Sequence, residues 1–584
     1  MSASCSATRL CSFSTRSVED PARQDSDAET DGDRQSEGFR WADWSRKVTR
    51  LNAPRQSGAK LIEPPLHLAA DLAATNKQTI TAADYDVQGR GLAALAVEAH
   101  EQLLGEALRY TRGYRNVNVP ESPDSIFLAG HQPEMFHPGV WFKNFVLARL
   151  ACEHRSVAIN LQIDSDSMKS ASIRVPGSSA IQPRLEAVAF DRAAAPDTPF
   201  EQATIVDRAC FESFGERAAR QIRSLVARPL VEEYWPKVVK RSRETGNWAT
   251  CFTQARHQIE GEWGRQTLEI PQSRVCDLPA FRWFIVHLLA HLPRFWEIYN
   301  SALLEFRREH KVRSAAHPVP ELAAADDWLE APLWIWSHDD PRRRRLFARY
   351  RNSELALTDR AGIEINLPIS LEGGVDLATE KLAELSAFGI RIRTRALITT
   401  LAARLLLGDV FIHGIGGAKY DELTDRIIAR FFGLTPPAYM VASGTLHLPI
   451  DGHSPNSNHL QDLKQRIREL EFHPERFLTE NQAAMTGDGQ AISAAVSEKQ
   501  KWVVTPQNPT NARQRCRAIR RANESLQPAV AGLRDLWTHQ AAEAARRQRF
   551  EAILASREYA FVLFPEVALT DFLLGELENS ARGC

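Results

Sequence analysis

The stretch from residue 125 to residue 166 constrains this chain more than any other. Ser125-Ile126-Phe127-Leu128-Ala129 reads as a short buried strand, and a turn rich in glycine, histidine and proline follows from Gly130 to Gly139. Trp141 to Cys152 reads as a helix, with Phe142, Phe145, Val146, Leu147 and Leu150 mainly apolar. Ser156 to Ile163 is the next strand, ending at Asp164-Ser165-Asp166. Strand, loop, helix, strand, acidic turn is the opening of a parallel α/β sheet. The predicted fold class is therefore α/β.

The rest of the chain is read around that unit. A helix is expected from Gly91 to Arg109, and residues 200 to 310 read as mainly helical, with no evident chemistry. Glu330 to Trp336 reads as a strand, followed by the basic run Arg342 to Arg345. Thr394 to Leu407 reads as a helix and Asp409 to His413 as a strand. A glycine loop, Gly414-Ile415-Gly416-Gly417, then leads into a helix from about Asp421 to Phe432. After Ser457 the texture changes. Leu460, Leu463, Ile467 and Leu470 recur at three and four residues, as do Ile519, Ala522, Leu526, Ala529, Leu533 and Leu536, with Pro528 expected to kink the second helix. Tyr559 to Phe564 reads as a strand returning to the main body. The plan is a disordered tail over 1–40, a core in two parts (41–199 and 326–456), a helical insertion (200–325), a helical arm (457–556) and a return to the core (557–584).

Composition narrows the function. Lys plus Arg is 72 against 73 for Asp plus Glu, a net charge of −1, which argues against nucleic acid or an anionic membrane as the main partner. No apolar run approaches the roughly 20 residues that a membrane helix requires. None of the eight cysteines forms a C-x-x-C pair, so a zinc ribbon or thioredoxin-type site is not expected, and scattered thiols fit a reducing cytoplasm. The first residues lack the apolar core of a secretory signal.

Three constellations can carry chemistry. The first is the Gly130–Gly139 turn, where Gly130, His131, Gln132 and His137 sit between a strand and a helix; backbone N–H groups and the helix dipole there favour a phosphate or carboxylate. The second is Asp164 and Asp166, able to hold a cation, an amine or a sugar hydroxyl, or to act as general base, and equally readable as a solvated cap and turn. The third is His413, Gly414, Gly416, Gly417, Lys419 and Tyr420, where glycines permit close approach of a phosphate and Lys419 adds charge. His287 and His291 lack the glutamate of H-E-x-x-H and read as helix packing; Trp334 and Trp336 read as buried strand residues, and Arg342 to Arg345 as a solvated run.

Taken in order, these loops resemble the bacillithiol biosynthesis cysteine-adding enzymes. That family has a Gly-Gln-Gln loop after its first strand, matched here by Gly130-His131-Gln132. Its next strand ends in Glu-Asp-His-Asp, matched by Ile163-Asp164-Ser165-Asp166. Its later Gly-Gly-Pro-Gly-Glu-x-x-Tyr loop corresponds to His413 through Tyr420, with two glycines and the tyrosine in register. The resemblance implies a Rossmann-like parallel sheet core with helical insertions, an α-helical coiled-coil arm and a homodimer through that arm. It implies a ligase that joins the cysteine carboxyl to the amine of a glucosaminyl-malate, with ATP or another nucleotide for activation; the alternatives are a nucleotidyltransferase-like Rossmann enzyme and a non-catalytic dimeric scaffold that keeps the fold. On that reading Asp164, Asp166 and His131 are catalytic, the substrates are an amino acid and an amino sugar or related amine, and no metal ligand is assigned. Three positions depart from the family: His131 replaces a glutamine, Gly417 replaces the glutamate, and Lys143 is displaced by two from the helix lysine.

Overall fold

The computed structural model describes residues 51–177, 184–192, 197–351, 354–369, 374–450, 459–478 and 489–578. The tail expected over 1–40, with Trp41 and Trp44, lies outside them. Along the chain come β1 (Lys60–Glu63), β2 (Ile126–His131) and β3 (Val157–Gln162), a hairpin of β4 (Ser172–Pro176) and β5 (Leu185–Ala189), and then β6 (Leu268–Pro271). Residues 324–394 supply β7 (Ala324–Ala325), β8 (Trp328–Ser337), β9 (Arg344–Arg351), β10 (Glu354–Thr358), β11 (Glu364–Leu367) and β12 (Ile390–Thr394). The strands β13 (Val410–His413) and β14 (Met440–Gly444) follow.

The molecule is mixed α/β. Its first sheet has the order β1-β14-β13-β2-β3-β6. The run β14-β13-β2-β3-β6 is parallel, and β1 joins the edge antiparallel to β14. Strands β3 and β6 are buried along their whole length, as expected for parallel strands covered on both faces. From β2 the chain moves to β3 and β6 on one side, then returns at β13 and β14 on the other. The loops after β2 and β13 therefore diverge at the carboxyl edge of the sheet.

The second core stretch, expected over 326–456, divides in two. Only β13 and β14 enter the first sheet; β8, where Glu330 to Trp336 fall, belongs to a separate antiparallel sheet of order β11-β10-β9-β8-β12. The reason is connection length. Strands β8 through β11 are joined by short turns, which close hairpins, whereas parallel neighbours require a crossover of a dozen or more residues.

Other boundaries shift for local reasons. The helix expected from Trp141 runs Pro138–Glu153, because Pro138 at its first position already has helical φ and donates no N–H. Its next residue must be glycine: a Cβ at Gly139 would lie 1.9 Å from the Gly444 carbonyl oxygen, so the first helical turn rests directly on the end of β14. The expected glycine loop is itself the first turn of helix Ile415–Ile427, with Gly414 as N-cap. Two helical glycines cost about 1 kcal/mol each, a cost offset by burial of Ala418, Leu423 and Ile427. Thr394 ends β12, so the helix expected there starts at Ala396. Residues Tyr559–Phe564 form a 3-10 turn (Phe561–Leu563) rather than a strand. Their backbone bonds go to Phe136 and Leu230, on two different loops, and Phe561 packs on Trp141 with ring centroids 4.5 Å apart.

In the arm, helices His459–Phe472 and Gly489–Val504 both pack along the 43-residue helix Ala512–Leu554. Leu460, Leu463, Leu470, Ala522, Leu526 and Val530 are buried, and Pro528 lies within the long helix without ending it. Among the described residues no helix is long and apolar enough to cross a membrane.

Candidate functional site

A cavity of about 600 Å³ opens at the carboxyl edge of the first sheet. It lies where strand order reverses, the place at which open α/β sheets bind ligands. All three predicted constellations reach its wall: Gly130 and His131 at the end of β2 with Gln132 and His137 after it, Asp166 after β3, and His413 at the end of β13 with Gly414, Gly416 and Gly417 after it. The opposite wall comes from the second sheet and its neighbours, through Trp334, Arg343 and Arg395. Arg557, three residues beyond the long arm helix, completes the rim.

Two helix N-termini face this space, Pro138–Glu153 and Ile415–Ile427, and neither is capped by a side chain. Their first N–H groups and dipoles favour negative charge. Lys143 adds a formal positive charge. Its side chain is buried, its Nζ donates to the Gly130 carbonyl at 2.8 Å, and among the described residues no carboxylate pairs with it. Burial alone pushes its ammonium down to about 8, since the charged form has lost water without gaining a counter-ion.

Two imidazoles in the same wall, His131 and His137, are held neutral by burial. Burial, helped by Lys143, drives His131 down to about 3, and its Nδ1 lies 3.0 Å from the Gln132 carbonyl. Burial likewise lowers His137 to about 4 against the opposing pull of Glu558, and Arg557 donates to its Nε2 at 3.4 Å. Asp166 is held from both sides. Its Oδ1 accepts from Arg343 (2.9 Å) and from the Ser167 N–H (2.8 Å), and its Oδ2 accepts from Gln132 (3.1 Å). Arg343 and Arg395 both lie over Trp334, at 4.7 and 4.2 Å from the ring centroid. Arg395 also pairs with the fully buried Glu330 at 2.7 Å.

Three predicted residues lie elsewhere. Asp164 is turned away from the cavity and accepts from both the N–H and the hydroxyl of Ser273, tying β3 to the short helix Gln272–Cys276. Burial and the nearby Glu201 raise its carboxyl to about 7. Lys419 and Tyr420 belong to the second turn of helix Ile415–Ile427 and are absent from the cavity wall. The helix rotates them outward, which a loop would not have done. His287 and His291 pack as expected, bonded to Tyr85 and Gln88.

Sequence reasoning missed Arg395 and Arg557, which no motif marks, and read Arg343 as one of a solvated run. Only Arg343 of that run reaches the cavity; Arg342 and Arg344 pair with Asp340, and Arg345 with Glu330. Behind the cavity, His257, Glu260 and Glu269 bring donor atoms within 4.8 Å of one another. Arg256 bridges both carboxylates, and Tyr114 and Thr267 take the two ring nitrogens, so this is a satisfied ion-pair network with its own internal cation. No family model and no curated protein matches this chain.

Proposed function

We propose that the chain is an amide-forming ligase on a Rossmann-like core, joining a carboxyl group to an amine after the carboxyl has been activated by ATP or another nucleotide. One observation carries this reading: residues from all three constellations that resemble the cysteine-adding enzymes line one cavity, and the two helix starts and Lys143 in its wall favour an anion there. Lys143 and the two helix starts suit the phosphate or phosphate-like leaving group of an activated acyl. Gln132, Asp166 and Arg343 form a fixed polar edge that suits an amino acid or amino sugar. Holding both reactants in one cavity replaces a bimolecular encounter with an oriented one. In this reading the arm is a coiled coil that pairs two copies, and Phe472, Val503, Val504 and Leu536 are the exposed apolar residues available to it.

The test is incubation with ATP, an amino acid such as cysteine, and a panel of amino sugars and simple amines, read by mass spectrometry. An amide product of the expected mass supports the ligase. Adenylated acid without amide makes the chain a nucleotidyltransferase, and neither product removes the catalytic reading. Light scattering tests pairing through the arm separately.

A further inference from the structure

The ligase reading needs a group that takes a proton from the attacking amine, and the two aspartates expected to do so are badly placed. Asp164 does not reach the cavity. Asp166 does, but both of its oxygens are already engaged, Oδ1 by Arg343 and the Ser167 N–H and Oδ2 by Gln132, so neither is free to meet an incoming amine. His131 and His137 are driven too far down by burial to hold a proton near neutrality.

His413 is different. It ends β13, is 4% exposed and lines the cavity. Its Nε2 lies 3.0 Å from Oδ2 of Asp421, two turns along the helix that β13 leads into. The carboxylate fixes the tautomer: Nε2 carries the hydrogen and Nδ1 carries the lone pair. Asp421 is itself held by Arg404 at 2.6 Å; burial raises its carboxyl, but Arg404 and His413 outweigh burial and keep it ionised. The remaining groups around the ring are the aromatic faces of Phe411 and Tyr439, at 4.6 and 4.8 Å, with Asp425 lying beyond Arg404.

What sits next to Nδ1 is residue 417. A Cβ there would stand 3.0 Å from that nitrogen, closer than such contacts normally come. A longer side chain would cover the lone pair. Glycine leaves it open, and Gly417 lines the same cavity. One of the three positions that depart from the family resemblance is thus the one that uncovers a ring nitrogen.

We propose that His413 is the proton acceptor for the attacking amine, aimed by Asp421 as a positioning residue and uncovered by Gly417; this rests on the ligase reading above. A neutral amine attacks the activated acyl carbon and the N–C bond forms. The amine proton passes to Nδ1, the C–O bond to the phosphate leaving group breaks, and the leaving oxygen departs with the electron pair. The imidazolium then gives its proton to that leaving group or to water.

The experiment has two arms, both on the full chain. In the first, amide formation is followed against pH for the unaltered protein, His413→Gln and Gly417→Ala, with folding checked by circular dichroism. The expected result is a loss of kcat of about 100-fold or more in His413→Gln, little change in KM, and disappearance of the acid limb of the pH profile. A His413→Gln variant that keeps its activity and its pH profile overturns the proposal. In the second arm, which needs no substrate, ring nitrogens are carbethoxylated with diethyl pyrocarbonate and mapped by mass spectrometry. His413 should react in the unaltered protein, be protected by inorganic phosphate, and react several-fold more slowly in Gly417→Ala. If His413 does not react, or reacts equally fast in Gly417→Ala, Nδ1 is not open and the proposal fails. If the unaltered protein forms no amide while His413 reacts and is protected as expected, the ligase reading fails and the open histidine stands.

Discussion

The two walls of the cavity are built on opposite principles. The first-sheet wall offers main-chain donors, glycines, imidazoles and one buried lysine that pairs with no carboxylate among the described residues. The second-sheet wall offers guanidinium groups that already have carboxylate partners, Arg343 with Asp166 and Arg395 with Glu330. A charge that already has its partner changes little when a ligand arrives. An unpaired buried charge changes a great deal, because the ligand supplies the counter-ion that the fold withholds. The first wall should therefore set affinity for an anion, and the second should set shape and orientation.

That contrast can be broken in order of expected effect. Gly139→Ala forces a Cβ onto the Gly444 carbonyl and should cost about 3 kcal/mol or more of stability, read by denaturant unfolding; an unaffected midpoint would mean that the first-wall helix is not seated on β14. Lys143→Met should weaken binding of inorganic phosphate at least about tenfold by calorimetry, while the empty protein keeps or gains thermal stability because an unpaired buried charge is gone. In the unaltered protein phosphate affinity should fall as pH rises through about 8, where Lys143 loses its proton. Arg343→Ala should leave phosphate binding within about threefold but impair selection among amine substrates, since it frees Asp166 to move. If Arg343→Ala abolishes phosphate binding and Lys143→Met does not, the division between the walls is reversed.

Asp164 provides a smaller test, on stability alone. Its folded carboxyl is raised to about 7 from an ordinary 3.8, so the folded state binds the extra proton. The stabilisation is fully present below about 4 and is lost as pH rises through 7. Asp164→Asn should flatten that decline in a series of melting temperatures from pH 4 to pH 8. Lys419→Ala, outside the cavity, should change stability and phosphate affinity least, by no more than about 0.5 kcal/mol.

Much of the first sheet was legible because its signals are local. The apolar runs at β2 and β3, the Gly130–Gly139 turn and the glycines after β13 each announce themselves within ten residues. What was not legible depends on register and on long-range assembly. Whether Lys419 and Tyr420 face the cavity turns on the glycines being helical rather than looped. Nothing local distinguishes Arg343 from Arg342, yet the geometry of the β8–β9 turn sends only one of them inward. Arg395 and Arg557 come from β12's end and from beyond the arm, and no spacing links them to β2. The membership of β8 in its own sheet was decided by the short turns after it, a feature that the strand's own composition does not carry.

The position of β2 in the strand order also has a consequence for synthesis. One flank of β2 is covered early, by β3, but its other neighbour, β13, is encoded far downstream. At ordinary ribosomal speeds that flank waits on the order of tens of seconds for its partner. Throughout that interval a bare, apolar strand edge is open to any other nascent chain. The demand that this protein places on cellular chaperones should therefore peak before the second half of the first sheet has left the ribosome.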